Sequence, residues 1–126
     1  MFSTLIVDDN HAFRQSLHQV LSRRFPAMRI AEVVDGESAL YQAAYQHPDL
    51  IFMDIRLPGR NGLEITKAIK SADYRPIICI LTSHDLPEYR DAAMRNGADH
   101  FLVKGESSEA QIAALVDDIL SVGQHA

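Results

Sequence analysis

Three acidic side chains, one lysine and one threonine stand out among the 126 residues: Asp8, Asp9, Asp54, Thr82 and Lys104. Each lies just past a short run of branched apolar residues. Singly, each has an ordinary reading: acids are common in loops, a threonine often ends a strand, and a lysine faces solvent. Together they place three carboxylates, an ammonium and a hydroxyl at the same end of successive apolar runs. Two like charges at ~4 Å repel by on the order of 4 kcal/mol at an effective dielectric of ~20, so a cluster of this kind needs positive charge. Lys104 supplies one unit, and a hard divalent cation with oxygen ligands supplies the rest. Mg²⁺ fits best, since it takes one or two carboxylates, retained waters and a phosphate oxygen. Zinc does not suit a group without Cys or His. A carboxylate beside such an ion can attack phosphorus and form an aspartyl phosphate. Asp54, directly after Leu50-Ile51-Phe52-Met53, is the candidate nucleophile, with Asp8 and Asp9 placed to hold the metal. Lys104 and the Thr82 hydroxyl are placed to neutralise charge on the phosphoryl oxygens.

The elements that must bring these residues together are readable from periodicity. Residues 4–7, 29–34, 50–53, 77–81 and 101–103 are short β-branched and aromatic runs, and predict five strands. Between them lie segments of helical period. Phe13, Leu17, Val20 and Leu21 form one buried stripe, stopped by Pro26. Residues 36–46 carry Ala39, Leu40 and Ala43 inward before Pro48, and Leu63, Ile65, Ala68 and Ile69 mark a third helix. Residues 88–96 close at Gly97, and Ser108 opens a last helix with the stripe Ile112, Leu115, Val116, Ile119 and Leu120. Alternating strands and helices predict an α/β fold, a doubly wound five-stranded parallel sheet of flavodoxin-like order 2-1-3-4-5 with helices on both faces. Ligands bind such sheets beyond the carboxyl ends of the strands, where the winding reverses. That is the edge on which all five side chains fall.

Composition bounds the alternatives. The length predicts a single domain over residues 1–126. A formal charge of −5 without clustered Lys or Arg argues against direct nucleic-acid binding. The apolar runs are too short to span a bilayer and the N-terminus lacks a signal peptide, which predicts a cytoplasmic protein without membrane attachment. The single Cys79, inside an apolar run, reads as a small buried hydrophobe. The six histidines show no metal-ligand spacing.

Val7-Asp8-Asp9, the run from Met53-Asp54 through Ile55-Arg56-Leu57-Pro58-Gly59-Arg60-Asn61 to Gly62, Leu81-Thr82-Ser83 and Phe101-Leu102-Val103-Lys104 resemble the receiver domains of bacterial two-component response regulators over nearly the whole chain. Asp8-Asp9-Asn10-His11 with Asp54-Ile55-Arg56-Leu57-Pro58 is similar to the NarL/LuxR-type branch. The resemblance implies that Asp54 accepts a phosphoryl group from a sensor histidine kinase or phosphotransfer protein. It implies that Asp8, Asp9, Asp54 and the Arg56 main-chain carbonyl ligate Mg²⁺, and that Lys104 contacts the phosphate. It further implies a switch in which Thr82 moves toward the phosphoryl group and Phe101 turns inward, reshaping the surface of the fourth helix, fifth strand and fifth helix. For Phe101, a permanently buried core aromatic is the competing reading. Branch members usually carry a helix-turn-helix output domain for transcription regulation after a linker. This chain, ending at Gly123-Gln124-His125-Ala126, is accordingly read as a free-standing receiver or the front part of a longer regulator, with a homodimer on activation as a candidate assembly. One departure is Gly105 in place of the proline that often follows the strand-five lysine, which predicts a trans peptide there. Arg56 and His84, two residues beyond Asp54 and Thr82, are candidate modulators of phosphoryl lifetime.

Two enzymes or carriers compete. A phosphatase of the haloacid dehalogenase type needs a second Asp two positions after its nucleophile, where this chain has Arg56, or Asn10 after Asp8. A flavin carrier needs a phosphate-binding loop after the first strand, where Asp8 and Asp9 would repel the phosphate. A receiver fold that docks partners without phosphorylation is the remaining alternative.

Overall fold

The computed structural model describes residues 2–125, and side chains for residues 2–122, so the chain end 123–126 discussed above lies outside the described side chains. The elements run β1 Ser3–Val7, α1 His11–Arg24, β2 Arg29–Val33, α2 Gly36–Gln46, β3 Leu50–Met53, α3 Gly62–Lys70, β4 Ile77–Thr82, α4 Pro87–Arg95, β5 His100–Val103 and α5 Glu109–His125. The strands form one parallel sheet in the order β2-β1-β3-β4-β5. Register places Val7 opposite both Val33 and Met53, Met53 opposite Ile80, and Thr82 opposite Val103. The strand ends therefore share one edge, and the direction of winding reverses between β1 and β3.

A strand covered on both faces needs an apolar residue at every position, not every second one. β3 shows why. Ile51 and Met53 enter one buried cluster with Ala39, Ala43, Ile65, Ile69 and Ala93 of α2, α3 and α4. Leu50 and Phe52 enter the other with Leu17, Leu21, Ile112, Val116 and Ile119 of α1 and α5. Cys79 is one of the buried members of that second cluster, as its apolar setting predicts, and burial pushes its thiol up to about 12.

Local chemistry sets the helix ends. Asn10, Asp35 and Asn61 cap α1, α2 and α3, each side chain accepting from a main-chain N–H of the first turn. At α5 the Ser108 hydroxyl accepts from Gln111 N at 3.1 Å while the Gln111 amide oxygen accepts from Ser108 N at 2.8 Å, a reciprocal pair. Gly97, with φ of +100°, takes the left-handed turn after α4.

Element boundaries differ from the sequence reading by a residue or two. Val34 leaves β2 because the pairing with β1 ends at Val33, whose carbonyl accepts from Asp8 N. Thr82 is the last residue of β4 and not the first beyond it, because Lys104 N donates to its carbonyl at 2.8 Å and extends the ladder. α1 ends before Pro26, at Arg24, where Phe25 N closes the last turn on Leu21 O. α4 starts earlier than expected because Pro87 suits a helix's first position, where its missing N–H is no loss. The peptide bonds are all trans among the described residues, including that after Lys104.

Candidate functional site

Asp8 follows β1 and Asp54 follows β3, neighbours on either side of the winding reversal. Both are buried, at 2% and 7% exposure, while Asp9 is exposed. Oxygen atoms of the three carboxylates lie within 4.8 Å of one another. This is the arrangement the sequence predicts, and its cost in repulsion is partly offset by Lys104 from the end of β5. Its Nζ lies 2.5 Å from Asp8 Oδ2 and 3.3 Å from Asp54 Oδ2. With its side chain only 14% exposed, the ammonium sits between two largely desolvated carboxylates, where Coulomb attraction is less screened than at a surface.

Main-chain donors orient the acids. Asp8 Oδ1 accepts from Asn10 N at 2.9 Å and Asp54 Oδ1 from Ile55 N at 2.8 Å. The first of these donors belongs to the N-cap of α1, so the carboxylate also faces the positive end of that helix. Asp54's carboxyl is held above its ordinary range. Burial is the main cause; Lys104 opposes it, the Asp8 charge adds to it, and the Ile55 N–H opposes it.

Thr82 is wholly buried at the end of β4, its hydroxyl accepting from His84 N at 3.3 Å. Phe101 on β5 is half-buried, packed against the α2–α4 side of the core. The Arg90 guanidinium of α4 lies 4.7 Å from the Phe101 ring centre and also bonds Asp85 in the β4–α4 loop at 3.0 Å. Arg56 is exposed in the β3–α3 loop. His84 is half-buried with its ring edge-on to Tyr89, 6.3 Å between centres.

Several residues of the site carried no role in the sequence reading. Gly62, the first residue of α3, packs so close that a Cβ there would lie 1.9 Å from the Asp54 carbonyl oxygen. Its own N–H donates to Ile55 O at 2.8 Å, tying α3 to the loop after Asp54. The signal was available, as a glycine after the cap Asn61, but only the fold shows what it must avoid. Arg14 donates to the Asp8 carbonyl at 2.8 Å and to Glu32 of β2 at 3.1 Å, bracing the acidic loop against the edge strand. His18 meets the other Glu32 oxygen at 2.6 Å. Phe13, expected simply as part of the α1 stripe, lies with its ring centre 4.2 Å from Lys104 Nζ.

As to a metal, the donor set is all carboxylate oxygen, without His or Cys. That chemistry fits a hard cation such as Mg²⁺ and fits zinc poorly.

A five-stranded parallel sheet bearing an acidic cluster opposed by a lysine at its winding reversal defines a signalling switch of the receiver class. The response regulator receiver domain family matches residues 4–117, and the chain belongs to that family. It is 34% identical over 119 residues to the transcriptional regulatory protein AfsQ1 of Streptomyces coelicolor, covering 92% of this chain and 52% of that protein. It is 38% identical over 104 residues to the sensory transduction protein LytT of Bacillus subtilis, covering 82% of this chain and 42% of that protein. The chain thus spans about half the length of these curated relatives. Among solved structures, a LuxR-family two-component response regulator from Aurantimonas superposes with a TM-score of 0.85 at 28% identity, covering 94% of this chain and 84% of that one. The expected strand order and family are therefore both correct. No helix among the described residues is long and apolar enough to cross a membrane.

Gly62→Ala should destabilise the fold by roughly 1–3 kcal/mol or more, since backbone must move to admit the methyl group, and urea unfolding measures it. Asp54 binds its proton more tightly folded than unfolded. Its stabilising contribution is thus complete below the ordinary carboxyl pKa of about 3.9 and is lost as pH rises through the raised folded value. Asp54→Asn should accordingly raise the unfolding midpoint of the metal-free protein at pH 7, with a gain that shrinks as the pH falls toward 4.

Proposed function

We propose that this domain is a phosphorylation-driven switch in which Asp54 is the phosphoacceptor. A carboxylate oxygen of Asp54 attacks the phosphorus of a phosphohistidine on a sensor kinase or phosphotransfer protein. The O–P bond forms as the donor's P–N bond breaks, and the electron pair leaves with the imidazole nitrogen, which takes up a proton. The observation that carries this reading is the meeting of Asp8, Asp9 and Asp54 within 4.8 Å, with Lys104 bridging two of them. Nothing structural requires three like charges to be gathered at one edge, and each would be more stable dispersed in water.

Asp8, Asp9, Asp54 and the main-chain carbonyl of Arg56 would hold Mg²⁺. When bound, the ion supplies positive charge for the phosphoryl oxygens. Lys104 takes a phosphoryl oxygen once esterification has removed the Asp54 charge it now faces. Thr82, whose hydroxyl accepts from the His84 N–H, turns it to another phosphoryl oxygen. That movement makes room behind Thr82 for Phe101, whose ring is half-buried and covered by Arg90, and so alters the α4-β5-α5 face. The altered face controls an output domain, of helix-turn-helix type if the protein follows its LuxR-family neighbours, or brings two copies together. Water attacking the phosphoryl group resets the switch, so the domain takes part in its own phosphorylation and dephosphorylation without being an enzyme acting on others. As a unit it occupies residues 1–126 and works in the cytoplasm.

Incubation with acetyl phosphate and Mg²⁺ should add the mass of one phosphoryl group, and Asp54→Asn should abolish the addition. An unmodified wild-type mass under those conditions supports a docking module instead. Arg56 and His84, two residues beyond Asp54 and Thr82, are assigned the role of hindering the attacking water, so Arg56→Ala and His84→Ala should each shorten the lifetime of the phosphorylated form several-fold; decay rates equal to wild type would remove them as modulators.

A further inference from the structure

Besides two acids, the Lys104 ammonium meets an aromatic ring. Its Nζ lies 2.5 Å from Asp8 Oδ2, 3.3 Å from Asp54 Oδ2 and 4.2 Å from the centre of the Phe13 ring. An ammonium over the negative face of an aromatic ring is attracted by the ring's quadrupole, more strongly where water is excluded. Here water is largely excluded, since the lysine side chain is 14% exposed.

The ring is held independently of the lysine. Phe13 N donates to the Asn10 side chain at 3.0 Å, which fixes the first turn of α1, and the ring packs against the buried cluster between α1, α5 and the sheet. The lysine stem is flexible and rich in rotamers, so unassisted it would sample many positions. Both acidic partners change their character during the proposed reaction: Asp54 loses its charge on esterification, and Asp8 is shared with any bound cation. The ring alone keeps the same attraction throughout.

We propose that Phe13 is a positioning residue for Lys104, holding the ammonium at the site by a cation–π contact so that it meets the phosphoryl group as that group arrives. This rests on Asp54 being the phosphoacceptor. A desolvated contact of this kind corresponds to about a 3- to 30-fold effect on rate.

The test is the initial rate of phosphorylation by acetyl phosphate at saturating Mg²⁺, followed by intact mass, for wild type, Phe13→Leu, Phe13→Tyr, Lys104→Met and the double variant Phe13→Leu/Lys104→Met. Phe13→Leu should be slowed about 3- to 30-fold with an unchanged Mg²⁺ midpoint, and Phe13→Tyr should stay near wild type. In the Lys104→Met background the leucine should cost nothing further, because the contact is already gone. A wild-type rate in Phe13→Leu, equal slowing by leucine and tyrosine, or the same slowing without Lys104 each overturns the proposal. A second measurement does not depend on the variants: the ε-methylene protons of Lys104 should resonate upfield through the ring current, and an unshifted resonance also overturns it. Wild-type protein that takes up no phosphoryl group removes the phosphoacceptor reading and this inference together, whereas normal uptake insensitive to Phe13→Leu removes this inference alone.

Discussion

The gathering of Asp8, Asp9 and Asp54 at one edge, opposed by a single lysine, is the constraint on which the rest of the molecule depends. Two of these acids are buried, and a buried charge is tolerated only when paired and hydrogen-bonded. The pairing is partial by construction. One ammonium serves two carboxylates, and among the described residues Asp9 forms no ion pair with it. The site therefore carries an excess of negative charge that a divalent cation would relieve, while the carboxyl of Asp54 is raised chiefly by its burial, against the pull of Lys104 and with a smaller push from the Asp8 charge.

The fold exists to hold that arrangement against its own repulsion. β1 and β3 are central strands with apolar residues on both faces, so neither can shift without emptying a core layer. Asp8 and Asp54 sit one residue beyond the last paired positions, Val7 and Met53, where the register leaves them no freedom to separate. α1 and α3 then press on the same loops from opposite sides. Arg14 grips the Asp8 carbonyl and Gly62 meets the Asp54 carbonyl without a Cβ. The side facing α4 is less tightly held. Phe101 is half-buried, Arg90 is shared between the ring and Asp85, and the N-cap position of α4, Leu86, provides no side-chain cap. A rigid pocket next to a loosely fastened helix is what a switch needs, since a change at the pocket must be able to move something.

Much of this was legible in the sequence for physical reasons. Strands buried on both faces read as continuous apolar runs, and the four residues of β3 were placed without error because Leu50, Ile51, Phe52 and Met53 leave no other period. The five polar side chains of the site fall directly after or at the ends of such runs, so their shared edge followed from topology alone. What was missed depends on distances between elements distant in sequence. Phe13 has the spacing of a core residue and is one in part, and nothing in that spacing points to Lys104. Arg14 reads as a solvated helix residue until β2 brings Glu32 beside it. Thr82 joins β4 because β5 extends the ladder, a pairing that no local pattern in β4 announces.

The claim that these carboxylates form one cation site is tested most directly by Mn²⁺ as a paramagnetic stand-in for Mg²⁺, added at substoichiometric amounts while amide resonances are followed. Broadening should appear first at Asp8, Asp9, Asn10, Asp54, Ile55 and Arg56, should be competed by excess Mg²⁺, and should disappear in Asp9→Asn/Asp54→Asn. Broadening spread over the acidic surface of α5, around Asp117 and Asp118, with those loop amides unaffected, would contradict it.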